Sequence, residues 1–307
     1  MDAAEVIEVT RDLDTRVAGH GAVVEGHGHA FERDGCRIHW WSAGASDAPT
    51  IVLTHGVTID HGTFATQVPL LVAGGYHVVT WDLRGHGRSR PNAARFSIAN
   101  AADDLHALLG EIGADQAVLV GQSFGGFVVQ VLHRDHPQRV AGMVLAGSLP
   151  LGRPPMWPLL ALYGRLAPPI QRLWPEGHLR GLVPRFMSKR ADVRQYVARA
   201  NRALDRGDFA AATEAATEGF VRYERLARID VPTLCVAGDA DLPFAARSVR
   251  AWAARMPLVD VEVIEHAGHL VNQERPEAFS AAVLAFADGL TWAAKGTAAP
   301  TAAPSSV

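Results

Sequence analysis

At 307 residues the chain has room for one large α/β domain, or for one domain carrying an insertion. A hydrophobic share of 48% and a charged share of 20% are those of an ordinary globular protein, not of a disordered or fibrous one. The net charge of −3 gives no reason to expect nucleic acid or an anionic membrane as partner, and two cysteines, Cys36 and Cys235, are too few for a disulfide framework.

Residues 1–25 mix Asp2, Glu5, Glu8, Arg11 and Asp12 with small apolar residues, so they do not read as a signal peptide. No apolar run approaches the length of a membrane span, and a cytoplasmic enzyme is expected. An extended segment is expected over Val23–Phe31, then a strand over Cys36–Trp41 after the Asp34-Gly35 turn. His27 and His29 share a face of the first strand. Without a carboxylate or cysteine beside them they read as a polar strand face, and no metal is expected.

Thr50-Ile51-Val52-Leu53 is a continuous apolar run, the pattern of a strand buried on both faces of a parallel sheet. It leads into His55-Gly56-Val57-Thr58. A helix is expected over Thr63–Ala73, stopped by Gly74-Gly75, and a strand over His77–Trp81. Asp82–Ser89 is rich in glycine, but lacks the third glycine of a dinucleotide fingerprint and the Gly-Lys-Ser/Thr of a P-loop, so it reads as a structural turn. Within it His86 faces solvent or bonds the loop. Ser97 caps a helix reaching Ile112, with Asp103 and Asp104 placed on its outer face.

Residues 117–127 are the most informative stretch. Ala117-Val118-Leu119-Val120 reads as a buried strand and Phe127–Leu132 as the start of a packed helix, with Gly121-Gln122-Ser123-Phe124-Gly125 between them. So sharp a turn strains its central residue and needs neighbours without a Cβ. It raises the Ser123 hydroxyl at the sheet's edge, beside the positive end of a helix. Val140–Ala146 is a further strand, so strands and helices alternate in βαβ units.

The rhythm stops at Gly147. From Ser148 to Phe220 there is no strand-like run, only helical stretches cut by prolines and carrying Trp157, Leu159, Leu162, Phe186 and Tyr196. Strands resume at Pro232–Ala237 and Val261–Ile264. They are followed by Gly238-Asp239-Ala240-Asp241 and Glu265-His266-Ala267-Gly268-His269, and Pro276 opens a last helix. Residues 293–307 are expected to be a disordered tail, of low complexity from Gly296.

Five motifs in order carry a family resemblance. They are His55-Gly56, Asp82-x-Arg84-Gly85-x-Gly87-x-Ser89, Gly121-x-Ser123-x-Gly125-Gly126, Gly238-x-x-Asp241, and Gly268-His269 followed by Glu274-Arg275-Pro276. Over about residues 22–292 the chain resembles the capped α/β-hydrolases, which include esterases, lactonases, cofactor-free haloperoxidases and carbon–carbon bond hydrolases. The resemblance implies a mostly parallel sheet flanked by helices, with residues 1–147 and 221–292 as core and 148–220 as a helical cap. It also implies a nucleophile at Ser123, a base at His269 and an acid at Asp241. Asp239 and His266 are the competing candidates, set aside because the family pattern takes the fourth residue of Gly-x-x-Asp and the histidine after glycine. The backbone amides of Val57 and Phe124 would form the oxyanion hole, with His55 anchoring its loop, and Trp157 and Phe186 would line the acyl pocket.

Together these roles imply a serine hydrolase of a small, mostly apolar ester or lactone, using no cofactor and working as a monomer or homodimer. Carbon–carbon cleavage and perhydrolysis use the same triad and stay open, as does a non-catalytic small-molecule receptor. Dehalogenases and epoxide hydrolases of this architecture carry aspartate at the elbow, and Ser123 argues against both.

Overall fold

The structure, a computed structural model, describes residues 28–92, 96–151, 157–173, 175–222, 229–241 and 245–292. Among the described residues eight strands form one sheet: β1 (Gly28–Arg33), β2 (Cys36–Ala43), β3 (Thr50–Thr54), β4 (His77–Trp81), β5 (Ala117–Gln122), β6 (Val140–Ala146), β7 (Thr233–Gly238) and β8 (Val259–Ile264). Their spatial order is β1-β2-β4-β3-β5-β6-β7-β8. β1 and β2 pair antiparallel, as do β2 and β4, and every later pair is parallel. The expected start of the first strand and the 293–307 tail lie outside the described residues.

The unbroken apolar runs follow from burial on both faces. On β3, Ile51 and Leu53 point to one side and Val52 to the other, as the two-residue period of a strand requires. α1 (Gln67–Ala73) covers the Ile51 side, joined there by Phe279 and Val283 of a C-terminal helix. α2 (Ile98–Glu111) and α3 (Phe124–Asp135) cover the other side through Leu105, Leu108, Val128 and Leu132. The expected helix over Thr63–Ala73 is two pieces, a 3₁₀ turn at His61–Phe64 capped by Asp60, then α1. Ser97 caps α2 by accepting the Asn100 amide at 3.1 Å.

Asp104 corrects the sequence reading. It is fully buried, and Arg84 donates to it through Nε and Nη2 at 2.6 and 2.5 Å. The helical period places it beside Asp103, but a guanidinium from the loop after β4 supplies the counter-charge that lets a carboxylate sit inside.

Among the described residues between β6 and β7 there are four helices: α4 (Trp157–Leu173), α5 (Glu176–Met187), α6 (Ala191–Ala203) and α7 (Arg206–Arg222). They pack as two pairs, α4 on α7 and α5 on α6, the second pair being a hairpin of consecutive helices. Pro175 stands at the N-cap of α5, whereas Pro168, Pro169 and Pro184 lie inside helices rather than cutting them. Packing against the partner helix holds these segments helical beyond their local propensity. The α5–α6 hairpin buries Met187, Val193 and Val197 against Ile59 and Leu270, residues of the loops after β3 and β8. α8 (Ala245–Ala253), the short α9 (Val271–Glu274) and α10 (Pro276–Asp288) complete the chain, α10 being the helix that carries Phe279 and Val283.

Candidate active site

Ser123 follows the last residue of β5, in the middle of the sheet, and its amide donates to the Ala146 carbonyl at 2.8 Å. Its φ of 52° and ψ of −115° are unfavourable for a side-chain-bearing residue, a strain the surrounding packing imposes. The flanking glycines make this possible. A Cβ on Gly121 would lie 2.4 Å from the Gly125 carbonyl carbon, and one on Gly125 would lie 2.2 Å from the Thr54 oxygen. The turn thereby lifts Ser123 Oγ at the first turn of α3.

Three loops at the carboxyl ends of separate strands converge on that hydroxyl. His269, beyond β8, places Nε2 2.9 Å from Ser123 Oγ. Its Nδ1 lies 3.1 Å from Oδ1 of Asp241, beyond β7, whose side chain is 2% exposed. Asp239 is elsewhere: it is exposed and accepts the Ala267 amide at 3.2 Å, so it braces the turn before the histidine. His266 is also exposed, at a positive φ of 56°.

The loop after β3 is pressed against the elbow, since a Cβ on Gly56 would come within 3.2 Å of Ser123 Cβ. The next amide, Val57, makes no hydrogen bond among the described residues, and Phe124 N–H is one of the free donors of the first turn of α3. His55 and His86 hold this loop. His55 is fully buried, its Nδ1 donating to the Gly56 carbonyl at 2.6 Å and its Nε2 accepting the Leu83 amide at 3.0 Å. His86 Nε2 accepts the Thr58 amide at 3.1 Å, while Nδ1 donates to the Arg84 carbonyl at 3.0 Å. Burial pushes His55 down to about 4 and His86 to about 3, so both stay neutral.

Asp82 gathers the same region. Its carboxylate accepts the His61 and Arg88 amides at 2.9 and 2.8 Å and His61 Nδ1 at 2.8 Å. Burial opposes its charge, but His61, with His55 and the Arg88 amide, outweighs burial and holds Asp82 down to about 2. His61 is raised in turn: burial works against its charged form, and Asp82 overcomes it. The His61 ring stacks on Trp41 at 3.6 Å between centroids.

The sequence reading missed the ties from the α5–α6 hairpin. Tyr196 of α6 is buried, and its hydroxyl donates to Asp60 Oδ1 at 2.8 Å, three residues beyond Val57. At the other side, Ser188 Oγ donates to Glu274 Oε1 at 2.6 Å, and Glu274 Oε2 accepts the Gly268 amide at 2.9 Å, next to His269. Arg190 Nη1 adds a 2.8 Å bond to the Glu274 carbonyl. One hairpin therefore grips both the Val57 loop and the His269 loop. Glu274 stood in a motif but had no assigned partner; Tyr196 and Asp60 lie 136 positions apart, and no spacing joins them.

Phe186 of α5 places its ring 6.3 Å from the His269 ring. Trp157 opens α4, and its side chain lies outside the described residues.

Residues 51–282 match the model of the alpha/beta hydrolase family. The chain belongs to that family. Epoxide hydrolase A of Mycobacterium tuberculosis is 28% identical, over 84% of this chain and 96% of its own length. 3-Oxoadipate enol-lactonase 1 of Acinetobacter baylyi is 29% identical, over 77% of this chain and 87% of its own. Among solved structures, Est816, described as an N-acyl homoserine lactone degrading enzyme, superposes with a TM-score of 0.68 at 28% identity, covering 84% of this chain and all of that one. The protein is an α/β-hydrolase enzyme, and no helix among the described residues is long and apolar enough to cross a membrane.

Proposed function

We propose that the protein is a serine hydrolase that cleaves a carboxylic ester or lactone of a small, mostly apolar substrate through an acyl-enzyme on Ser123. The observation that carries this reading is the unbroken relay of Ser123 Oγ, His269 and buried Asp241, at 2.9 and 3.1 Å. His269 Nε2 takes the hydroxyl proton as Oγ attacks the carbonyl carbon, and Asp241 holds Nδ1–H and stabilises the imidazolium. Negative charge gathers on the former carbonyl oxygen, which the Val57 and Phe124 amides meet; one such donor is worth about 3 kcal/mol in the transition state. The intermediate collapses, the alcohol leaves with the proton from His269, and water repeats the sequence to release the acid.

The relatives that act on lactones support the acyl chemistry, and a serine at the elbow argues against epoxide opening, for which the superfamily uses aspartate. Residues 148–220 serve as the cap. Phe186, 6.3 Å from His269, borders the acyl pocket, with Trp157 on α4 as the second lining residue. Two buried free cysteines, Cys36 and Cys235, fit a reducing, cytoplasmic setting.

Purified protein assayed on a panel of nitrophenyl esters and lactones of varied acyl length, with Ser123→Ala as blank, tests the reading. Turnover of esters or lactones, with acyl preference altered by Phe186→Ala but labelling by a small organophosphate kept, is the expected result. No turnover of any of these compounds above the blank would overturn it, and activity confined to carbon–carbon cleavage or perhydrolysis would redirect it.

A further inference from the structure

The helical insertion carries, on α4, a surface that the proposed chemistry at Ser123 does not use. On α4, Leu159, Leu162, Tyr163, Leu166, Ile170 and Leu173 recur at helical spacing and are 50–89% exposed. They form one stripe, while Gly164 and Ala167 lie buried on the other side of the helix. From Leu159 to Leu173 the stripe runs about 21 Å. On α5, exposed Leu182 and Phe186 stand one turn apart, with Arg185 beside them.

Charge is segregated in the same segment. Residues 157–202 hold nine basic residues against two acidic ones, a net of +7, which leaves −10 for the rest of a chain whose total is −3. Both acids are occupied, Glu176 by Arg180 and Asp192 by Arg190, each at 2.6 Å. Between α5 and α6 lies a cavity of about 520 Å³ lined by Gly177, Gly181, Arg185, Arg194 and Arg202, with no acidic residue among its described lining. The whole-chain charge, which gave no reason to expect an anionic membrane, averages over this asymmetry.

We infer that the exposed face of α4 and α5 is a docking surface for an anionic lipid bilayer, the stripe entering the acyl layer and the arginines meeting lipid phosphates. An exposed apolar helix face carried by a strongly basic segment is the combination that seats a helix in a membrane interface. A second copy of the chain fits less well, because a two-fold contact through this face would set one +7 segment against another. The inference uses the proposed function in one respect: an apolar ester is a substrate that a lipid phase concentrates, and Phe186 links this face to His269.

Flotation of the Ser123→Ala protein with vesicles tests it without any turnover. Binding to phosphatidylcholine vesicles containing phosphatidylglycerol, weakened by salt and much reduced on pure phosphatidylcholine, is expected. Each arginine near such a surface is worth roughly fivefold in partitioning, so replacing Arg185, Arg194 and Arg202 by alanine should lower it on the order of a hundredfold. Leu162→Glu with Leu166→Glu and Ile170→Glu should abolish binding while the melting temperature is kept; single Leu166→Glu serves if the triple variant does not fold. No flotation with the anionic vesicles, undiminished flotation of these variants, or a dimer by light scattering that Leu166→Glu dissociates would each overturn the inference. Lack of binding together with normal ester turnover would reject this surface and leave the proposed function standing.

Discussion

Tyr196→Phe isolates the contribution of the α5–α6 hairpin to the site. The substitution removes one oxygen and keeps the ring packed in the cluster with Ile59 and Met187. Among the described residues, Asp60 Oδ1 then retains only the Gly62 amide, at 3.0 Å. A hydrogen bond to a charged group contributes about 1.5–3 kcal/mol, so the urea midpoint should fall by an amount equivalent to about 1–3 kcal/mol. The effect on catalysis has a ceiling. If the Val57 amide were lost entirely as an oxyanion donor, turnover would drop by the worth of one donor, about 3 kcal/mol or roughly a hundredfold. Because the ring still pins Ile59, a partial loss is expected, between about 3- and 30-fold in kcat with KM little changed. Steady-state kinetics on a nitrophenyl ester, read beside urea unfolding, measure both. Lower stability with kcat at the wild-type value would show a tie that does not reach the Val57 amide. No change in either would refute the hydrogen bond's role altogether.

Asp241→Asn should slow ester turnover by roughly 10⁴, the loss known for a triad acid so replaced, whereas Asp239→Asn should mainly lower stability; the reverse pattern in kcat would reassign the acid. Acid unfolding should report Asp82, whose folded-state pKa of about 2 lies below the ordinary 3.8. A depressed carboxylate stabilises the fold above its unfolded pKa and loses that contribution as pH falls from about 4 through 2, here about 2 kcal/mol in all. His61, raised by its partner, has the opposite sign: its contribution is full below 6.5 and is lost as pH rises through its folded value. Urea midpoints followed downward from about pH 5 should therefore fall more steeply for wild type than for Asp82→Asn, and parallel curves would contradict the assignment.

The sheet was legible because its signals are local. An apolar run bounded by turn residues is a doubly buried strand whatever surrounds it, and the glycines around Ser123 are demanded by backbone contacts within a few residues of the turn. Ser97 declared its helix for the same reason. Asp104 was misplaced because the periodicity of α2 cannot register a guanidinium delivered by the loop after β4. The Tyr196–Asp60 and Ser188–Glu274 ties were invisible since each joins the insertion to a core loop far away in sequence. The exposed stripe of α4 could be seen as apolar spacing, but spacing alone does not tell a buried face from an open one.

The central claim is that Ser123 is the nucleophile, and covalent labelling tests it most directly. A fluorophosphonate should add once to the wild-type protein, with the adduct mapping by mass spectrometry to the peptide containing Ser123, and Ser123→Ala should take no label while its esterase turnover falls on the order of 10⁶. An adduct on another residue, or Ser123→Ala turning over ester at a rate near wild type, would contradict it.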